Sequence, residues 1–275
     1  MISIPNRATL LFALLAVAAG CAGRGPRIPP VEPGAEGGAA LATRLGGRPC
    51  PRDLASDVEV TIQPLGRPAV RLVGGMRAAW PASVRIQLRF GPFTPVASIA
   101  VDGDSAYVSL PRMKAFWAGG SVGEGSNPAV LASSLLWLIC PAPLVRSMRE
   151  PVLDRDRRGW ALRGRVGHAN PPLTLSLRLD EDQSRIEEII FADSIGRTVL
   201  KAERSGKTAI KAVDIPDRIR LETGDPPILF EARLMRPHAD KNQAPGLFRI
   251  LPPSGARLLD EEDLLELVYS GGEPR

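Results

Sequence analysis

The chain has 275 residues, of which 44% are hydrophobic and 24% charged. That balance excludes a disordered chain, which buries too little apolar surface to offset the entropy of ordering. The formal charge is +5, but the basic residues are scattered along the predicted strands, which argues against a nucleic-acid footprint and is compatible with weak attraction to anionic lipid headgroups.

The chain begins MISIPNR, and Arg7 is the only charge before Cys21. An apolar run, ATLLFALLAVAAG, separates the two. A charged start, a short apolar core and small residues ahead of a cut are the layout of a secretory signal. The run is too short to span a bilayer comfortably. Its last residues, Ala18-Ala19-Gly20-Cys21, resemble the lipobox of bacterial lipoproteins, with Ala18 where Leu is usual. That resemblance implies cleavage before Cys21 and a diacylglycerol on its sulfur. Removing the first 20 of 275 residues leaves 255, enough for one large domain or two small ones. Residues 22–38, AGRGPRIPPVEPGAEGG, are dominated by Gly and Pro and show no apolar period, so they read as a tether. The expected organisation is a signal peptide at 1–20, a lipidated Cys and tether at 21–38, one domain over 39–270 and a tail at 271–275.

A short helix is expected over Ala39–Leu45, ended by Gly46-Gly47. Strand signals follow. Val58, Val60 and Ile62 alternate with Glu59 and Thr61, and a loop at Leu65–Pro68 suggests a hairpin into Ala69–Met76. Val84, Ile86, Leu88 and Phe90 alternate with Arg85, Gln87 and Arg89, a period of two with one apolar and one wet face. After the break at Gly91–Pro95, a strand over Val96–Val101 turns at Asp102-Gly103 and returns over Ser105–Leu110. Pro111–Asn127 reads as a loop. Asn127 is a good N-cap and Pro128 suits a first helical position, so a helix starts there. Its apolar residues, among them Leu135 and Leu138, lie nearly all round, which predicts burial against the sheet. Pro141 and Pro143 end it. Further strands are expected at Gly159–Gly167, Leu173–Leu179, Arg185–Phe191, Arg197–Arg204, Lys207–Val213, Arg218–Glu222, Ile228–Leu234 and Phe248–Leu251, then a C-terminal helix over Asp260–Tyr269. The fold class is therefore α+β and mainly antiparallel β: a curved, unclosed half-barrel sheet covered by a few helices.

Apart from Cys21, the chain has two cysteines, Cys50 and Cys140. Two readings stand open: a disulfide formed in an oxidising compartment, or a Cys140 that is a small buried hydrophobe in an apolar helix.

Several segments carry a family resemblance. Arg85-Ile86-Gln87-Leu88-Arg89-Phe90-Gly91-Pro92-Phe93-Thr94 is similar to a strand and loop of the LolB-like lipoprotein receptors of the LolA/LolB superfamily. Asn127-Pro128 with Leu135-Leu136-Trp137-Leu138 resembles that family's buried helix, with Cys140 where Gly is usual. Ile215–Ile219 and Leu247–Gly255 resemble the closing strands of LolA-like proteins. The resemblance covers roughly residues 58–258 in pieces. It implies a half-barrel whose apolar cavity accepts acyl chains, with Val84, Ile86, Leu88, Phe90, Ile99, Trp117, Leu135 and Leu138 as lining candidates. It implies a membrane-insertion loop at Pro92 and Phe93. It implies acyl chains or lipoproteins as ligands, a periplasmic LolA-like carrier as partner, and a monomer lipid-anchored on the periplasmic face of the outer membrane. Ala22 stands where an inner-membrane retention signal would place Asp, which favours the outer membrane by the same analogy. The alternative from the residues alone is a closed core, used as a scaffold in an envelope complex.

Signals for catalysis are weak. Gly119-Gly120-Ser121-Val122-Gly123 matches G-x-S-x-G, but the strand and helix that a nucleophile elbow needs do not flank it closely. A Ser121 hydrolase is the lesser alternative, and the chain reads as a non-enzyme. Ser205-Gly206-Lys207-Thr208 has the tail of a phosphate-binding loop without its first Gly, since Lys201 stands there. His168 and His238 show no zinc spacing with the cysteines. No metal or cofactor is expected, and no nucleic-acid partner.

Overall fold

The computed structural model describes residues 32–264 except 65, 67, 92, 121–127, 167–172, 211–212, 224–227, 241–243, 245 and 261. Two meanders make most of it. The first is β1 (Asp53–Pro64), β2 (Val70–Ala79), β3 (Ser83–Phe90), β4 (Thr94–Asp102), β5 (Ser105–Leu110) and β6 (Ala115–Gly120). The second is β7 (Arg149–Asp156), β8 (Gly159–Val166), β9 (Leu173–Leu179), β10 (Ile186–Ala192) and β11 (Thr198–Ser205). After a separate two-stranded ribbon of β12 (Thr208–Ile210) and β13 (Val213–Ile215), β14 (Arg218–Thr223) and β15 (Ile228–His238) join the two meanders. β14 pairs with β11, and β15 pairs with β1. A two-residue strand, β16 (Arg257–Leu258), runs parallel to β6 at one edge. The result is one sheet of 14 strands in the order β16-β6-β5-β4-β3-β2-β1-β15-β14-β11-β10-β9-β8-β7. Its edges do not meet, so it is curved but unclosed.

Alternation explains the layer. Met76, Ile86, Ile99, Val108 and Trp117 are register partners across five neighbouring strands, so one row of apolar side chains crosses five of the 14 strands on one face. Leu162, Leu177 and Ile189 continue that face on β8–β10 and are fully buried. Three helices cover it: α1 (Ala35–Gly46) on β7 and β8, α2 (Pro128–Ile139) on β3–β5, and α3 (Ala142–Arg146) between them. Leu41 and Leu45 of α1 and Leu135, Leu136, Leu138 and Ile139 of α2 share one core with the strands. The opposite face is wet except where residues 246–259 cross it. There Ile250 packs on Ala100 and Phe116, and Arg85 donates to the Leu247 carbonyl at 2.8 Å.

Several elements differ from the sequence expectation. α1 begins at Ala35, four residues inside the expected tether, because Gly37 and Gly38 are buried packing positions. A Cβ on Gly38 would sit 2.2 Å from the Pro151 carbonyl oxygen, so only Gly lets the helix lie this close to β7. β6 lies within the expected loop. The expected strand Lys207–Val213 is instead the β12–β13 ribbon. Phe248–Leu251 forms no strand, since its backbone turns across the outer face. Pro141 and Pro143 end α2, and Pro143 then sits in the first turn of α3, where its missing N–H is not needed. The expected C-terminal helix is helical at 262–264, and its remainder lies outside the described residues.

Candidate functional site

The antiparallel pairings sort the turns into two rims. The β1–β2 and β3–β4 connections and the 3-10 turn Pro111–Met113 stand at one end of the strands. The β2–β3, β4–β5, β9–β10 and β11–β12 connections stand at the other.

The first rim carries exposed apolar side chains. Phe93 is 88% exposed at the tip of the β3–β4 turn, Phe90 is 61% exposed at the end of β3, and Val70 is 45% exposed at the start of β2. Gly91, with φ +66°, makes the turn. Pro92 lies outside the described residues. Phe90 departs from the expected cavity face: β3 keeps its alternation, but its last residue runs past the apolar cover and stands in solvent. Fully burying a Phe is worth about 1.5–3 kcal/mol, so this rim forgoes several kcal/mol in the isolated molecule.

The remaining lining candidates lie together in the core between α2 and the sheet. Val84 is 0%, Ile86 4%, Leu88 5%, Leu135 4% and Leu138 1% exposed. Trp117 is buried in the same core, and Ile99 is half-buried against it. In this state these residues fill each other's space. Ser121, with the rest of 121–127, lies outside the described residues.

The far end of α2 is held firmly. Cys140, directly after it, is bonded to Cys50, with the Cα atoms 5.7 Å apart. Arg204 of β11 donates to the carbonyls of Leu138 at 2.6 Å and Ile139 at 3.2 Å, and to that of Ile186 at 2.7 Å. A cation that satisfies the last carbonyls of a helix also complements its dipole. Burial pushes the Arg204 guanidinium down to about 10, with the charges of Arg185 and Arg48 adding to the effect. Sequence reasoning missed this arginine because nothing in the pattern of β11 shows that a helix end lies beside it.

The phosphate-loop-like run sits at the β11–β12 turn. Gly206 adopts φ +69° there. The Asp217 carboxylate accepts from the Lys207 amide at 3.0 Å and from the Thr208 hydroxyl. The Ser-Gly-Lys-Thr sequence thus serves an aspartate-capped turn. Among the described residues no group of His, Cys, Asp or Glu could hold a metal ion, and no helix is long and apolar enough to cross a membrane.

No protein-family model and no curated protein sequence matches the chain. Solved structures do. A DUF1329 family protein from Desulfovibrio piger superposes with a TM-score of 0.57 at 12% identity, covering 81% of this chain and 98% of the other. A structure described as an outer membrane lipoprotein-sorting protein domain, from Vibrio parahaemolyticus, gives 0.57 at 10% identity over 78% and 97%. A LolA superfamily protein from Nitrosomonas europaea gives 0.55 at 10% identity over 78% and 97%. The class is thereby defined: an unclosed antiparallel half-barrel with helices on its covered face. The particular fold is LolA/LolB-like.

Proposed function

We propose that this chain is a lipid-anchored envelope protein that takes the acyl chains of lipoproteins, or of other lipids, and delivers them to the outer membrane without covalent chemistry. The observation that carries this reading is the rim of Phe93, Phe90 and Val70, apolar surface left in water where a bilayer would cover it. The fold supports it, because two structures with this architecture are a LolA superfamily protein and a lipoprotein-sorting domain. Cys21 would supply the anchor. Acyl chains would enter between α2 and β3–β5, where each buried methylene contributes about 0.8 kcal/mol. The disulfide and Arg204 pin α2 at its Ile139 end, so the groove would open from the Pro128 end. A periplasmic LolA-like carrier would supply the cargo.

The test is transfer. An acylated lipoprotein bound to its carrier is mixed with the purified mature protein, and native mass spectrometry reads where the cargo goes. Cargo should move to this chain, and onward delivery to vesicles should fall at least tenfold in Phe93→Glu with the melting temperature unchanged. One observation favours a second reading, an envelope scaffold with a permanently closed core: Val84 and Leu138 are already packed in the described state. Absence of both cargo transfer and co-purifying lipid would select that reading.

A further inference from the structure

The second rim holds a cleft of about 380 Å³ between the ends of α1 and α2, the β9–β10 turn and the β11–β12 turn. Arg48, Arg185, Arg204 and Lys207 converge on it. We propose that this cleft is a binding site for a phosphate group, either inorganic phosphate or the phosphate of a lipid headgroup.

Charge imbalance is the first argument. Several arginines elsewhere in this sheet are paired with a carboxylate: Arg71 with Glu59, Arg163 with Asp154, Arg178 with Asp156, Arg218 with Glu231. Arg48, Arg185 and Arg204 make no such ion pair among the described residues. Lys207 alone in the cleft has one, to Asp214 at 2.8 Å. Asp214 lines the cleft, and Asp180 and Asp214 act on Arg48, so the four cations are balanced only in part and still repel each other. The pull of Arg185 and Arg48 on the Arg204 guanidinium, described above, is that repulsion seen from one member.

Aim is the second argument. Each guanidinium is fixed by a backbone carbonyl: Arg48 donates to Ser184 at 2.5 Å, Arg185 to Gly206 at 3.0 Å, and Arg204 to the end of α2. A guanidinium has five N–H donors, so each keeps donors beyond those already used. Donors fixed in advance lose little side-chain entropy when an anion arrives, and guanidinium forks match phosphate oxygens. Arg204 also occupies the carbonyls of α2, whose negative end would otherwise repel an anion. Ile139, Ile186 and Ile215 line the cleft but are buried, so its charged groups carry the recognition.

The site is independent of the acyl-groove reading: it stands at the opposite rim, and phosphate can bind whether or not α2 ever opens. The test is calorimetric titration of the purified mature protein at fixed ionic strength. Three probes are used: inorganic phosphate, dihexanoyl phosphatidic acid, and dihexanoylglycerol as the phosphate-free control. Both phosphate probes should bind and the control should not. Phosphatidic acid binding at least tenfold tighter than phosphate identifies a lipid headgroup, and equal affinities identify the free ion. Arg48→Ala with Arg185→Ala should weaken phosphate binding at least tenfold, whereas Arg112→Ala at the other rim should leave it unchanged. Arg204 is left intact because it holds α2. If the double variant fails to fold, Lys207→Gln serves instead and should weaken binding severalfold. Failure of both phosphate probes to bind overturns the proposal, as does binding that neither substitution changes.

Discussion

Two neighbouring glycines of β2 show how much a single Cβ decides. Gly74 faces the core, and a Cβ there would meet the Gln87 carbonyl oxygen at 1.8 Å, whereas a Cβ on Gly75 meets nothing within 4 Å. Backbone of a paired strand cannot move aside as a flexible side chain can. Gly74→Ala is therefore expected to destabilise by about 1–3 kcal/mol. Gly75→Ala should change stability by less than about 1 kcal/mol, with a lower unfolded-state entropy in its favour. Urea unfolding of the pair measures the contrast, and equal midpoints would contradict it. Cys50 and Cys140 act on the unfolded chain instead. They are 90 residues apart in sequence, and closing so long a loop removes enough entropy that replacing both by Ala should cost about 2–5 kcal/mol. An unchanged urea midpoint on reduction would show that the bond only decorates packing already made by α1 and α2 through α3.

Among the elements, the β7–β8 hairpin carries a pH signature. Asp156 is held down to about 2, first by the hydrogen bond from Arg178 and then by the Arg158 amide. Its folded value lies below its unfolded one, so the stabilisation is fully present above about pH 4 and fades as pH falls toward 2. In Asp156→Asn the melting temperature should fall less steeply over that window than in the native chain. Parallel slopes would show that other carboxylates dominate acid unfolding. The same hairpin illustrates what the sequence could and could not reveal. β9 was legible because Leu173, Leu175, Leu177 and Leu179 alternate with polar residues and one sheet face is wet. β7 was not, because its Arg-Glu-Pro start and five charges hide the single inward Leu153. β6 was hidden because its two glycines, Gly119 and Gly120, and the glycines after them read as loop, and its place became clear only from pairing with β5. The start of α1 was obscured by glycines that serve close packing. For the candidate site, the loop tip at Phe93 followed from local turn chemistry. The convergence of Arg48, Arg185 and Arg204 did not, since residues so far apart meet only through the sheet order.

At the scale of the whole molecule, the two rims divide the chemistry. One end of the strands presents Phe90, Phe93 and Val70, and the other presents the arginine cleft, with α2 pinned beside it. If the aromatic rim is the surface that meets the bilayer, then the cleft faces away from it, and a phosphate bound there cannot belong to a lipid still seated in that same membrane. It would belong to a soluble ion or to a lipid already extracted. The division is measurable by placing an environment-sensitive fluorophore on Phe93→Cys and, separately, on Asp104→Cys in the β4–β5 turn at the opposite rim. With vesicles of phosphatidylethanolamine and phosphatidylglycerol, emission from position 93 should shift to the blue as the label leaves water, while position 104 should not change. A shift at 104 without one at 93 would reverse the orientation and bring the arginine cleft to the headgroups. Shifts at both positions would mean that the molecule lies along the membrane by its sheet edge, and the aromatic rim would then lose its special role in delivery.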